Sequence, residues 1–410
     1  MIYKFKQSAE LRLNTSYVII QGLYWMLVCC TISLGSAYLT NRGYSTVGIG
    51  ALFAVAYLLA AVLQQTISVA TDNSTNFNVV DVLFVLGAIM VVDLIASIGT
   101  STKGFATGFT FLIGVMVATI MQPFLNALNF HIEKYGVKMN YGVARAGGSF
   151  FFFLMSLIAG NLMKAISEKA APVLGLIVSL LFIATIIWIY FELKKFGKLT
   201  KEFDPLDTIQ SNDSFSVDSI KSFIEKYKMF FIFLIGLVGF YFGHVFINNF
   251  LYQLTLNVGG DEGDNGGLLA LQAIVELPAM IFFAQLKDRF GAKFLLALSA
   301  VFYFVKMLAT VLATSVGMLY FSMIFQAFAF AVFIPASVHF VDEIMPKKDA
   351  VKGQAFITIA MTVGNLLSSL IGGLLIRVVG VSASMWFSTV ITLLGTVVAI
   401  WALMNIKENS

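Results

Sequence analysis

The chain has 410 residues, of which 59% are hydrophobic and only 12% charged, with a formal net charge of +4 at pH 7. Soluble domains carry roughly 25% charged residues, so composition excludes a water-soluble globule, and the small basic excess is not the one-faced cationic surface of a nucleic-acid binder. The only cysteines, Cys29 and Cys30, are adjacent in the first apolar run. Helical neighbours point apart, so no structural disulfide between them is expected.

Taken in chain order, residues 1–14 are polar and basic, and no small-residue cleavage site follows, so the first run is expected to be a retained span. Apolar runs then fall at 16–38, 47–70, 79–99, 104–129, 143–165, 171–193, 229–256, 266–286, 292–314, 316–341, 353–378 and 383–404. One crossing needs about 20 apolar residues. The expectation is an all-α integral membrane protein of twelve transmembrane helices.

Counted on alternate sides of these runs, 20 Lys and Arg fall on one side, Arg145 included. Five fall on the other: Arg42, Lys103, Lys164, Lys169 and Arg377, with Lys306 inside a span. Such a bias places both termini and the central loop in the cytoplasm of a cell membrane; a bacterial source is expected. The one long polar stretch, 196–228, contains Asp204-Pro205, read as a flexible connector, and a possible surface helix at 216–228. The expected organisation is a six-helix bundle over 1–194, a linker over 195–228 and a second six-helix bundle over 229–410, around a central cavity.

Polar residues stranded in the runs are candidates for function, because lipid cannot satisfy them. Asp93 lies in the third run. In the fourth, Gln122, Asn126, Asn129 and Glu133 recur at helical spacing; in the fifth, Arg145, Ser149, Phe152 and Ser156 repeat it. The seventh has Tyr241, His244, Asn248 and Tyr252 with Asn249 beside them, and the eighth has Gln272 and Glu276 one turn apart. Lys306 and Gln326 follow. Helix-to-helix hydrogen bonding explains any one amide; three stripes together favour a ligand. Glu276 is the leading proton carrier, since an apolar helix disfavours its charged form. Lys306 or Arg145 would stabilise that form, and Asp93 is the second candidate.

Between runs eight and nine the chain reads Lys287-Asp288-Arg289-Phe290-Gly291-Ala292-Lys293. This resembles the Asp-Arg-x-Gly turn of the major facilitator superfamily, with Ala292 replacing one closing base. The resemblance implies the major facilitator fold and a gate in which Asp288, Arg289 and Lys293 pair across helix ends while Gly291 makes the turn. Asp72, after the second run, keeps the acid of the first-half copy but none of its bases.

The segment Tyr141-Gly142-Val143-Ala144-Arg145-Ala146-Gly147-Gly148-Ser149 resembles the start of the fifth helix in the lactose permease-like oligosaccharide:proton symporters, and Ile132-Glu133-Lys134 that family's end of helix four. There the arginine grips substrate hydroxyls. The resemblance puts Phe152 where a tryptophan stacks on sugar, Lys306 near a ninth-helix arginine and Gln326 near a tenth-helix histidine. Glu276-Leu277-Pro278 is more similar to nucleoside:proton symporters. Asn129, Ala329, His244 and Gly364 replace charged or titratable groups of lactose permease itself, which excludes a strict lactose permease.

The function expected is secondary active transport, a proton-coupled import of a neutral hydroxylated solute, sugar or oligosaccharide. Substrate contacts are expected from Arg145, Asn126, Asn129, Phe152, His244, Asn248, Asn249, Gln272, Glu276 and Gln326. A nucleoside symporter, a drug-efflux antiporter of the same fold and a transport-like sensor are the alternatives. No catalytic constellation or metal-ligand spacing is present in the sequence, so an enzyme, a cofactor and a metal are not expected. The expected partners are the solute, protons and the bilayer, with a functional monomer.

Overall fold

A computed structural model describes the backbone of residues 2–74, 77–100, 102–199 and 217–406, and side chains over these except 2–9, 72, 196–199 and 217–220. Among the described residues all regular structure is helical. The elements are α1 (Ile2–Val28), a π-helical turn (Cys29–Ser33), α2 (Gly35–Asn41), α3 (Thr46–Asp72), α4 (Val79–Gly99), α5 (Phe105–Glu133), α6 (Tyr141–Ala165) and α7 (Ala170–Leu199). Then come α8 (Val217–Lys226), α9 (Lys228–Asn249), α10 (Leu251–Asn257), α11 (Glu262–Ile281), α12 (Phe283–Phe290), α13 (Ala292–Val311), α14 (Val316–Ile324), a 3-10 turn (Phe325–Ala327), α15 (Phe330–Ile344) and α16 (Lys347–Asn405).

Helix starts follow from capping chemistry. The Asn78 side chain accepts from Val80 N at 2.8 Å while Asp81 accepts from Asn78 N at 2.9 Å, a reciprocal box that opens α4. Asn140 caps α6 through Val143 N, and Ser315 caps α14 through Met318 N. Once begun, the helices are turned inside out relative to those of a soluble protein. On α4, Val92 and Ile95 are exposed, whereas Asp93 and Ser97 are buried. Only a lipid exterior makes that arrangement favourable, because bare Val and Ile cost nothing against acyl chains.

Among the described residues ten helical segments are long and apolar enough to cross a bilayer, eleven if the bent pair α11–α12 counts as one span. The 59 residues of α16 would reach about 90 Å at 1.5 Å per residue, against about 30 Å of hydrocarbon. It is interrupted at Gly380, whose φ of 84° is not helical. The last two expected runs, 353–378 and 383–404, therefore lie on either side of Gly380 within α16, and several of the other runs are broken where their polar residues lie. Run 229–256 divides after Asn249. Run 266–286 bends by 56° between α11 and α12, just beyond Pro278, which has no amide hydrogen to donate. Run 316–341 breaks at the 3-10 turn that holds Gln326.

The chain forms two compact units. One comprises Met1–Leu206 with Gly260–Ile274, the other Asp207–Gly259 with Val275–Ser410. Half of the expected linker, 200–216, lies outside the described residues; 195–199 continue α7 and 217–226 form α8. The core of the second unit is aromatic: the Phe240 and Tyr303 rings stack at 5.1 Å, with Phe333 edge-on at 5.8 Å.

In the first unit the beginning of α11 docks on α6 without side chains between them. A Cβ on Gly160 would lie 2.7 Å from Gly266 Cα and 2.8 Å from Glu262 O. Beside this contact Lys164 Nζ meets Asp261 at 2.7 Å, and Asn41 donates to Glu262 at 2.9 Å. The Lys164 hydrogen bond holds the Asp261 carboxyl below its ordinary range. Gly160→Ala is expected to cost about 1–3 kcal/mol by overpacking backbone on backbone, read as a lower thermal unfolding midpoint of the purified protein; an unchanged midpoint would mean that the two helices separate freely.

Candidate functional site

In the first unit, the capped start of α6 brings Arg145 to the α1 face. Its guanidinium lies 4.3 Å from the centre of the Trp25 ring, and Nη1 donates to Ser149 Oγ at 3.1 Å. Stacking on an aromatic face suits this planar cation. Trp25 in turn meets Phe152 edge-on, with centroids 6.4 Å apart. Gly148 leaves the space for the indole, since a Cβ there would collide with Trp25 Cδ1. Among the described residues no carboxylate lies within 4 Å of Arg145. The result is a cation held by an aromatic ring and a hydroxyl, with donor capacity left over.

The fourth-run stripe does not share one environment. Gln122 and Glu133 are exposed, Asn126 is half-buried and Asn129 is buried. Tyr141 Oη donates to Asn126 Oδ1 at 3.4 Å. The Asn129 carbonyl oxygen is buried with no hydrogen-bond partner.

In the second unit three of the predicted residues form a single chain. Lys306 Nζ on α13 donates to Gln326 Oε1 at 2.7 Å, and Gln326 Nε2 donates to Glu276 Oε1 on α11 at 2.8 Å. Lys306 is 1% exposed, Gln326 4% and Glu276 7%. The 3-10 turn positions Gln326 between the two charges. One neutral amide thus has its acceptor on the ammonium and its donor on the carboxylate, the orientation in which each bond polarises the next.

His244 lies in an aromatic box. Its ring stacks on Phe330 at 5.1 Å, with Tyr303 at 5.2 Å and Tyr241 at 5.3 Å. Its Nε2 is 3.0 Å from Asn248 Nδ2. With the amide as donor, the neutral ring carries its proton on Nδ1, and that atom is buried without a partner, as is Tyr303 Oη. Asn249 turns away from this group and donates to Ser369 Oγ at 2.9 Å. Gln272 is buried one turn before Glu276.

Asp93 belongs to the first unit and takes no part in the Glu276 chain. Gly291, at φ 78°, ends α12 by the turn the motif requires. Asp288, however, pairs with its neighbour Lys287 at 3.3 Å, and Lys293 Nζ donates to Ile406 O at 2.8 Å. The expected pairing among Asp288, Arg289 and Lys293 across helix ends is not what these contacts form: Asp288 is largely exposed, so its adjacent lysine reaches it at no cost in burial. Asp72 closes α3, but its side chain lies outside the described residues.

The residues that the sequence alone does not single out are Trp25 and, around His244, Tyr303 and Phe330; Tyr241 belongs to the seventh-run stripe. Trp25 is one of four tryptophans and stands in the first run, where one more large apolar ring reads as packing.

A family model described as MFS_1 like family matches residues 17–400. Among solved structures, the chain is similar to the nucleoside transporter NupG, with a TM-score of 0.74 and 16% identity over 96% of this chain and 100% of that one. A mutant form of NupG aligns at 0.76, also at 16% identity, over 97% and 100%. The chain is also similar to a bacterial homolog of the human lysosomal transporter Spinster, inward-facing and unoccupied, at 0.71 and 12% identity over 97% and 98%. At such identities the likeness is one of fold. Among curated proteins, Multidrug resistance protein 2 of Bacillus subtilis (strain 168) is 28% identical over 147 residues, 35% of this chain. The match spans about a third of that relative, 36% of its length.

Proposed function

The chain belongs to the MFS_1 like family of major facilitator transporters, a multi-pass membrane family, and on that premise we propose that it drives uptake of a neutral hydroxylated solute with the proton gradient. The observation that carries this reading is the buried chain Glu276–Gln326–Lys306. An acid and an amine joined through an amide can exchange a proton without leaving a bare charge in a medium of low dielectric. Adding a proton to Glu276 removes its attraction for Lys306 and weakens the hydrogen bond from Gln326. Because the three residues sit on α11, α13 and the turn between α14 and α15, that change bears on how these helices pack.

Arg145 supports a neutral ligand. Its charge is satisfied by the Trp25 face rather than by a carboxylate, so its remaining N–H groups suit hydroxyl oxygens, and Trp25 and Phe152 offer apolar faces to a ring. Arg145→Lys is expected to weaken solute binding by about tenfold, because an ammonium loses both the planar stack and the fork of donors. Titration calorimetry on the purified protein checks this; equal affinity would remove Arg145 from the site.

Proteoliposome uptake over a panel of sugars and nucleosides, with and without an imposed pH gradient, tests the function. Gradient-driven accumulation of one class supports the reading. Outward movement of apolar dyes with no sugar or nucleoside uptake would replace it with efflux. A nucleoside is the second reading, favoured by the fold likeness to NupG and by the similarity of Glu276-Leu277-Pro278 to nucleoside symporters.

A further inference from the structure

Asp93 on α4 is 8% exposed, and among the described residues no donor or cation meets it. A buried carboxylate left in that state is expensive, so its surroundings should show what completes it. It lines a cavity of about 30 Å³ together with Cys30, Thr31, Tyr38, Ser97 and Thr110, among others. That is room for one water or one bare ion of similar size.

The hydrogens of this lining are mostly committed elsewhere. Thr31 Oγ1 donates to Leu27 O at 2.8 Å, and Thr110 Oγ1 donates to Thr107 O at 3.1 Å. Tyr38 Oη and Ser97 Oγ share one hydrogen bond at 2.7 Å. Two carboxylate oxygens and four hydroxyl oxygens therefore stand against one uncommitted hydroxyl hydrogen and the weak Cys30 thiol. An excess of oxygen lone pairs around one negative charge is a site for a hard cation. Arg42 does not supply that charge, for it packs over the Tyr38 ring and pairs with Glu168 at 3.4 Å.

Two further features keep the cavity open. The α1 backbone widens into the π-helical turn Cys29–Ser33, which carries Cys30 and Thr31; such bulges are frequent at functional sites. Gly114 on α5 has no side chain, and a Cβ there would lie 3.0 Å from Asp93 Oδ2.

We propose that Asp93, with the hydroxyls of Thr31, Tyr38, Ser97 and Thr110, binds a monovalent cation of sodium's size. A divalent ion recruits several carboxylates, and this cavity has one. The site is separate from Glu276, so it stands or falls independently of the proton-coupling reading.

The test is thermal unfolding of the purified full-length protein in sodium, potassium or choline chloride at equal ionic strength, with radiolabelled sodium binding in parallel. Sodium should raise the midpoint of the wild type and of Glu276→Gln, potassium less, choline not at all. Asp93→Asn should lower apparent sodium affinity by about a hundredfold, the loss expected when a buried ion loses its counter-charge. Should that variant fail to fold, Gly114→Ala keeps the acid but takes its space, and should lose sodium binding while retaining its midpoint in choline. A wild type indifferent to the cation, or sodium binding undiminished in both variants, overturns the proposal. So does a midpoint that follows pH alone, which would make Asp93 a protonated acid, with Cys30 and Tyr38 the other titratable groups lining the cavity.

Discussion

Glu276→Gln is expected to abolish accumulation driven by a proton gradient while leaving exchange of labelled for unlabelled solute largely intact. The substitution is unusually clean here. Gln326 Nε2 donates to Glu276 Oε1 at 2.8 Å, and an amide oxygen at that position can still accept the same bond. Shape and the bond from Gln326 are kept, while the negative charge and the ability to carry a proton are lost. Loss of accumulation would thus report on coupling rather than on folding. Measurement in proteoliposomes with an imposed pH gradient decides the matter, and accumulation equal to that of the wild type would remove Glu276 from the mechanism. Failure of exchange as well would show instead that Glu276 holds the solute.

Lys306→Met is expected to destabilise the protein by about 3–5 kcal/mol, and combining it with Glu276→Gln should recover part of that loss. The lysine is 1% exposed and its ammonium donates to Gln326 Oε1 at 2.7 Å. Removing it leaves a buried carboxylate facing an amide that no longer has a cation behind it, the situation in which breaking a buried pair costs most. Neutralising both ends removes the stranded charge. A double-mutant cycle by thermal unfolding should give an interaction of about 1–3 kcal/mol, as for residues of one hydrogen-bonded network. Strict additivity would show that the acid and the amine do not sense each other through Gln326.

The two variants read different quantities. Glu276→Gln leaves a buried ammonium, so a modest stability loss is compatible with the coupling argument. Lys306→Met leaves the acid, and transport that survives it would assign Lys306 to stability alone.

Much of the candidate site was legible as a set of residues but not as a set of contacts. Glu276, Lys306 and Gln326 stood out because charge and amide groups are costly in an apolar run. Their union did not, since it joins positions separated by 20 and 50 residues and depends on a 3-10 turn within a run that reads as a continuous helix. Arg145 was identified by its position and its resemblance to the symporters, whereas its support by Trp25 was not, because tryptophan in a span looks like any other apolar residue. His244 and Asn248 were placed together by their spacing of four; Asn249, their neighbour, faces Ser369 instead.

What the amino-acid order determined by itself is the helical membrane class and the places where polar groups interrupt it. Lipid offers no hydrogen bonds, so each span must satisfy its own backbone, and that demand is written locally in about twenty residues at a time. Which stranded groups meet was decided only by tertiary structure. Helix breaks at Cys29–Ser33, after Asn249, beyond Pro278 and at Gln326 rotate and shift the faces that periodicity assigns. Partners are then chosen by packing between distant segments: the Glu276–Gln326–Lys306 chain in one unit, and the Asp93 cavity in the other.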